Sequence, residues 1–416
     1  MGVVDSSDND RLMEPRMRIA YTESQEQLRR ELRGYFGRLM TPERRAALAS
    51  DSGEVGAGNV YREVVAQMGA DGWLALGWPT EYGGQNRPMM DQLIFTDEAA
   101  IAGVPVPFLT INSVAPTIMH YGTDEQKAFF LPKIAAGELH FSIGYSEPGA
   151  GTDLAALRTT ARLDGDDFVI NGQKMWTSLI QYADYIWLAC RTDPASMEPG
   201  GKKHKGISMI IVPTTAEGFS YTPVHTMAGV DTSATYYSDV RVPRSALVGE
   251  LGGGWPLVTN QLNHERVALC SAAPIQQALR ETVEWAQNTK RADGNRVIDA
   301  EWVQLNLARV HAKVEFLKLI NWNIASTATQ GGSPSPADAS ATKVFGTEFA
   351  TEAYRLLMEV LGPAATLRRT SPGAQLAGRI ERFHRSSLIL TFGGGTNEIQ
   401  RDIIAMLALR QPAQKR

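Results

Sequence analysis

The spacing of apolar residues changes twice along this chain of 416 residues, and those changes limit what it can fold into. From Thr22 onward, Leu28, Leu32, Phe36 and Leu39 recur at steps of three and four behind a Thr-Glu-Ser-Gln start, the pattern of a capped helix with one buried face. Similar spacing continues through VYREVVAQMGADGWLAL, MMDQLIFTDEAAIAG and TDEQKAFFLPKIAAG, so residues 17–138 read as an N-terminal α-helical domain. Near His140 the texture shifts. TTARLDGDDFVINGQKMWTS places an Asp-Gly turn between alternating segments, and ADYIWLACRT and KGISMIIVPTT are rich in β-branched and aromatic residues. Residues 139–248 read as a middle β domain, with DPASMEPGGKKHKG as an exposed loop carrying solvated lysines. After GELGGGW helical spacing returns, and residues 249–416 read as a C-terminal helical bundle interrupted at TQGGSPSPADAS. The fold class is α+β, in the order helices, β domain, helices. Residues 1–16 are polar and acidic and read as a disordered extension.

Composition removes several classes of function. The net charge of -4 is spread along the chain without a basic run, which argues against nucleic-acid binding. Cys190 and Cys270 each lie in an apolar neighbourhood, so a reducing compartment is expected rather than a disulfide framework. The polar start carries no signal peptide and no apolar run has the length of a membrane span, so the expected location is cytoplasmic. The seven histidines lack metal-ligand spacing. No dinucleotide fingerprint, Walker loop or nucleophile elbow is present; in PGAGTD, Leu154 stands where a third glycine would be needed.

Three segments do carry chemistry. FSIGYSEPGAGTDLAALRTTA offers backbone amides and the hydroxyls of Ser146 and Thr152 around a glycine turn, suited to the edge of a flat, heteroatom-rich ring. NGQKMWTS follows, with Trp176 able to pack on an aromatic cofactor beside Thr177 and Ser178. TFGGGTNEIQR feeds three glycines into a helix capped by Thr396 or Asn397, a loop that lets backbone approach a polar or anionic group. No acid or base lies within that glycine run, so the catalytic group must come from elsewhere.

From residue 17 onward the chain resembles the acyl-CoA dehydrogenase family of flavoproteins, and especially the two-subunit steroid side-chain dehydrogenases of cholesterol-degrading bacteria. The likeness rests on IGYSEPGAGTDL, MWTS, VTNQLNHERVAL and LTFGGGTNEIQRDII. It implies FAD contacts from Tyr145, Ser146, Gly151 and Thr152, from Trp176, Thr177 and Ser178, and from Thr396 and Glu398. The family oxidises the Cα–Cβ bond of an acyl-CoA, a carboxylate removing the α-proton while the β-hydrogen leaves as hydride to flavin N5. Many members carry that carboxylate where this chain has Gly394. Others keep it in a Glu-Arg pair on a helix of the C-terminal domain. Here Val258, Leu262 and Leu269 mark the inward stripe of a helix, and Glu265 falls on it.

Glu265 is therefore the expected base, with Arg266 and Gly394 on the substrate side and His264 a lesser candidate. Two further segments depart from the family. Lys290 and Asp293 replace an arginine and an aromatic that reach a neighbouring subunit's FAD, and Glu359 and Pro363 occupy the segment expected near its adenine end. The expected assembly is an α2β2 heterotetramer with a homologous subunit, passing electrons to an electron-transferring flavoprotein or similar acceptor. A non-catalytic subunit completing a partner's site, or a flavin oxidase or monooxygenase on the same scaffold, are the alternatives.

Overall fold

The computed structural model describes residues 20–48, 59–229, 231–268, 270–330, 332, 335–369 and 371–412; at 231 and 263–268 the description extends to the backbone alone. The expected disordered extension at 1–16 lies outside these residues.

Six helices come first: α1 (Glu23–Leu39), α2 (Pro42–Leu48), α3 (Val60–Ala70), α4 (Met89–Ala102), α5 (Ala115–Tyr121) and α6 (Asp124–Ala135). Helix α1 starts at the expected cap: Thr22 accepts from the Gln25 amide, and the Gln25 side chain accepts from the Thr22 amide. Its stripe Leu28, Leu32, Phe36 and Leu39 is buried. Strands follow as β1 (Phe141–Gly144), β2 (Thr160–Asp164), β3 (Asp167–Lys174), β4 (Tyr185–Arg191), β5 (Ile207–Pro213), β6 (Phe219–His225), β7 (Asp231–Pro243) and β8 (Leu247–Val248). They form one mixed sheet in the order β6-β7-β3-β2-β4-β5-β8, with β1 parallel to β4. The Asp-Gly signal becomes a two-residue hairpin, Asp164 pairing with Asp167 across a left-handed Gly165.

Strands β4 and β5 are buried on both faces, which is why they read as apolar runs. Trp187, Ala189, Met209 and Ile211 pack with the N-terminal helices, whereas Ile186, Leu188, Ile210 and Val212 pack against Phe168, Ile170 and Val242. The C-terminal part comprises α7 (Gly254–Ala268), α8 (Ala273–Asn288), α9 (Glu301–Thr329), α10 (Pro336–Leu361), α11 (Arg379–Ser387) and α12 (Asn397–Leu407), with a separate core between α8, α9 and α10. Helices α7 and α8 are split before Pro274, which has no amide to give the Cys270 carbonyl four residues back. The buried Asn321 of α9 donates to that carbonyl instead, at 3.0 Å. Both cysteines are free and buried, and burial pushes each thiol up to about 12.

Polar contacts bolt the parts together. Arg62 of α3 holds Asp184 at 2.9 Å, and Gln126 of α6 donates to the carbonyls of Ser245 and Leu247. On α4, Glu98 takes Arg29 and Arg33 of α1, while its neighbour Asp97 accepts from the Ser271 hydroxyl at 2.6 Å, just beyond α7. Burial raises the Asp97 carboxyl from 3.8 to about 6, against the Ser271 hydrogen bond. A raised carboxyl costs stability that develops as pH climbs from the unfolded value to the folded one and is constant above it. Asp97→Asn, which keeps an acceptor for Ser271, is expected to raise Tm at pH 8 and to lose that advantage near pH 4. Thermal unfolding of the two proteins across this range checks it, and an advantage that grows toward low pH contradicts it.

Candidate active site

The first segment, Tyr145–Thr152, leaves β1 as a tight loop closed by reciprocal Glu147–Ala150 backbone bonds of 2.9 and 3.1 Å. Its far side, at Gly149, Gly151 and Thr152, is exposed, and a side chain built on Gly151 would meet nothing within 4 Å. The Glu147 carboxylate points inward, accepting from the amides of Arg158 and Thr159 at 2.7 and 2.8 Å and from Lys174 Nζ at 2.8 Å. Lys174, fully buried at the end of β3, also donates to the Tyr145 carbonyl at 2.9 Å. Burial alone would lift the Glu147 carboxyl, but the Lys174 ammonium and the Thr159 contacts hold it below the usual range. Burial lowers Lys174 despite its carboxylate partner.

The second segment joins the first directly, the Met175 amide donating to the Ser146 carbonyl at 2.8 Å. Trp176 and Leu179 both adopt left-handed backbone, with φ of 66° and 62°. Neither is glycine, so the sheet holds this turn in a conformation costing on the order of 1–3 kcal/mol per residue. Trp176 is 57% exposed as a result, its ring outside the core. Thr177 points the other way, fully buried, its hydroxyl 3.4 Å from that of Thr235 and its amide bound to the Ser233 carbonyl. Ser178 is half-buried and pairs with Thr232 at 3.1 Å.

The third segment is set by α10. Gly394 and Gly395 are left-handed, at φ 68° and 96°, and Thr396 caps α12 by accepting from the Ile399 amide. Lys343, fully buried on α10, donates to the Gly395 carbonyl at 2.9 Å and to Asn397 Oδ1 at 2.7 Å. Gln400, also fully buried, accepts from Ser340 at 2.8 Å and donates toward the Gly394 carbonyl. Glu398 is exposed in the first turn of α12.

Helix α7 runs between these supports. Its buried Gln261 accepts a hydrogen bond from the Tyr145 hydroxyl, which in turn accepts from Trp187 Nε1 at 3.1 Å. Glu265 follows four positions later, on the face of α7 that Gln261 marks. The side chains of Glu265, Arg266 and His264 lie outside the described residues.

Sequence spacing alone missed Lys174, Lys343, Gln261 and Arg191. Lys343 was within reach, because it shares a helical stripe with the buried Ala339, Gly346 and Ala350. The lysine loop is exposed at Lys202 and Lys205, as expected; Lys203 Nζ in addition lies 2.6 Å from Asp153, and the loop backbone is held by a buried arginine, Arg191. At the two divergent segments, Asp293 is tied to Arg291 at 2.8 Å and Glu359 is paired with Arg355. Among the described residues no cluster could hold a metal ion, and no helix is long and apolar enough to cross a membrane.

Comparison with known proteins decides the family. Models of the acyl-CoA dehydrogenase N-terminal, middle and C-terminal domains match residues 22–138, 142–240 and 252–409. The chain belongs to the acyl-CoA dehydrogenase family. It is an oxidoreductase of a flavin-dependent family, with that family's helix, sheet and helix arrangement. The acyl-CoA dehydrogenase FadE26 of Mycobacterium tuberculosis is 76% identical over 402 residues, spanning 96% of this chain and 100% of its own. The structure titled as the ChsE4-ChsE5 complex from Mycobacterium tuberculosis superposes with a TM-score of 0.89 at 75% identity, covering 96% of this chain and 100% of that one. A structure titled Tcur3481-Tcur3483 steroid ACAD does so with a TM-score of 0.88 at 48% identity, covering 96% and 100%.

The buried Glu147–Lys174 pair of this dehydrogenase makes a stability prediction. Removing one member of such a pair leaves an uncompensated charge and costs about 3–5 kcal/mol. Glu147→Gln is expected to show that loss by denaturant unfolding, together with loss of bound flavin, and a double variant with Lys174→Met to regain part of it. A single variant within about 1 kcal/mol of the parent contradicts the role.

Proposed function

We propose that this chain is the base-carrying subunit of an FAD-dependent dehydrogenase that introduces an α,β double bond into a bulky or α-methyl-branched acyl-CoA, such as a steroid side-chain thioester. The observation that carries this reading is the hydrogen bond from Tyr145 to Gln261. It docks α7 on the first loop, so that Glu265, one turn farther along, shares the helix face turned to that loop. Meanwhile Gly394 brings no carboxylate to the glycine loop.

The residues present fit a flavin. An exposed tryptophan on strained backbone, an open surface over Gly151 and a glycine loop in left-handed conformation together suit a flat polar ring. Tyr145, Ser146, Gly151, Thr152, Trp176 and Ser178 would hold it from the β domain, and Thr396 and Glu398 from α12, whereas Thr177, expected among them, is fully buried against Thr235 and Ser233 and would only support the turn. Bound FAD supplies an acceptor for the hydride that leaves the β-carbon. Glu265 removes the α-proton, the electron pair of that C–H bond forming the new double bond as hydride departs. Substrate closing over Glu265 would exclude water from around its carboxylate, which favours proton transfer to it. The reading assigns Arg266 and Gly394 to the acyl side, where the absence of a side chain at Gly394 favours a branched α-carbon.

Glu265→Gln is expected to keep the fold and flavin while flavin reduction under anaerobic conditions falls by at least about 100-fold. Reduction within tenfold of the parent contradicts the assignment. Across a panel of acyl-CoAs, steroid side-chain or 2-methyl-branched thioesters are expected to show the highest kcat/KM, and a preference for straight chains contradicts the substrate reading.

Assembly follows from the divergent segments. Lys290 lies in a hairpin, Arg291 is engaged by Asp293, and Glu359 occupies a segment expected near a neighbour's cofactor. The chain has little there to offer an FAD pyrophosphate. A homologous partner supplying a planar guanidinium and an aromatic would restore those contacts, the charge-assisted bidentate one worth about 1.5–3 kcal/mol. The solved relatives titled as two-component assemblies support an α2β2 arrangement. Purified with such a partner, the enzyme is expected to bind two FAD per four chains and to reduce an electron-transferring flavoprotein or similar acceptor. One FAD per subunit in a fully active homotetramer of this chain contradicts it.

A further inference from the structure

A buried chain of hydrogen bonds runs from β4 into α7 and stops at a donor. Trp187, wholly buried, can only donate, and its Nε1 gives a hydrogen bond to the Tyr145 hydroxyl at 3.1 Å. That hydroxyl gives its own proton to Gln261 Oε1. The direction of the chain therefore fixes the Gln261 amide, with its oxygen toward Tyr145 and its NH2 away from it. Gln261 is 0% exposed, and among the described residues its Nε2 meets no acceptor. A buried donor in that state carries a desolvation cost that an acceptor would remove.

Helix geometry limits where the acceptor can come from. One turn before Gln261 stand Leu257 and Val258, both buried and apolar. One turn after it stand His264 and Glu265. Helical side chains lean toward the N-terminus, so a residue at i+4 leans back over residue i, with Cβ atoms about 5–6 Å apart. A carboxylate at i+4 is the acceptor that α7 itself offers this NH2. Of the elements packed on α7, the turn at 110–114 and β5 carry no charged residue, and α5 carries His120 and Tyr121 at its C-terminal end. On α10, Asp338 is engaged by Ser335, Lys343 by Gly395 and Asn397, Glu348 by Arg401, Glu352 by Lys313, and Arg355 by Glu359. In the β domain, Lys174 is paired with Glu147.

We propose that Gln261 is a positioning residue for the base: in the flavin-loaded enzyme its NH2 donates to the Glu265 carboxylate. The chain from Trp187 through Tyr145 thereby sets which way that carboxylate turns its remaining oxygen. The bond favours the ionised form, so the base stands deprotonated before substrate arrives.

This inference rests on the reading of Glu265 as the base. Its test is the pH dependence of anaerobic flavin reduction by the acyl-CoA of highest kcat/KM in the panel above, at saturation, for the flavin-loaded complexes of wild type, Gln261→Met and Tyr145→Phe. Methionine keeps the length of glutamine without a donor, and is expected to move the acid limb of the rate up by about one pH unit. A residue that only packs would change the rate or the flavin affinity and leave the limb in place. Tyr145→Phe, which frees the amide to turn, is expected to move the limb the same way by less, and to add nothing to the limb of Gln261→Met in the double variant. A Gln261→Met limb within about 0.3 units of wild type overturns the proposal, as does a Tyr145→Phe shift that adds in full. If Gln261→Met does not retain flavin, Tyr145→Phe decides alone, an unmoved limb overturning the proposal. Failure of the base reading would appear instead as flavin reduction retained by Glu265→Gln; an inactive Glu265→Gln with an unmoved Gln261→Met limb counts against this inference only.

Discussion

The buried pair between Lys174 and Glu147 is the contact on which the site's architecture depends. It joins the end of β3 to the loop after β1, and each partner also serves backbone: Lys174 the Tyr145 carbonyl, Glu147 the amides of Arg158 and Thr159. Two loops distant in sequence are thereby held as one surface. Desolvating these charges is unfavourable, and their mutual attraction together with fully used hydrogen-bonding groups offsets the cost. Such a pair specifies where the loops lie more than it adds to net stability.

The same device appears at three places. Lys174 reaches the first loop, Lys343 reaches the glycine loop through the Gly395 carbonyl, and Arg191 gathers four carbonyls from the turn after the first loop and from the basic turn beyond β4. In each case a buried cation organises irregular backbone that a strand or helix ladder cannot satisfy. The outward faces of the loops are left free for ligand. That division explains why Thr177 is buried while Trp176 beside it is exposed.

Much of this was legible in the sequence. The change of apolar period located helices, sheet and helices, because burying one face or two leaves a different spacing. The three glycine- and hydroxyl-containing segments were visible because their residue types have few other uses. The buried cations were harder to see. Lys174 sits in INGQKMW, where neither neighbour nor period distinguishes it from a surface lysine, and its role emerges only when β3 is placed beside the β1 loop. Lys343 lay on a recognisable buried stripe, and spacing in the sequence puts Glu265 on the stripe of Val258 and Leu262. The loop lysines read as solvated because nothing in their spacing announces that Arg191, at the end of β4 twelve residues before Lys203, fixes their backbone. Long-range polar contacts leave no period in the sequence.

Placing the base on α7 rather than on the glycine loop is the central proposal, and it separates the group that moves a proton from the loop that holds the cofactor. A crystal structure of the flavin-loaded complex with a non-oxidisable acyl-CoA measures this most directly. The account predicts the Glu265 carboxylate within about 3.5 Å of the substrate α-carbon, with the Gly394 side of the site presenting backbone alone. A different carboxylate at that carbon, with Glu265 turned away from it, would contradict the account.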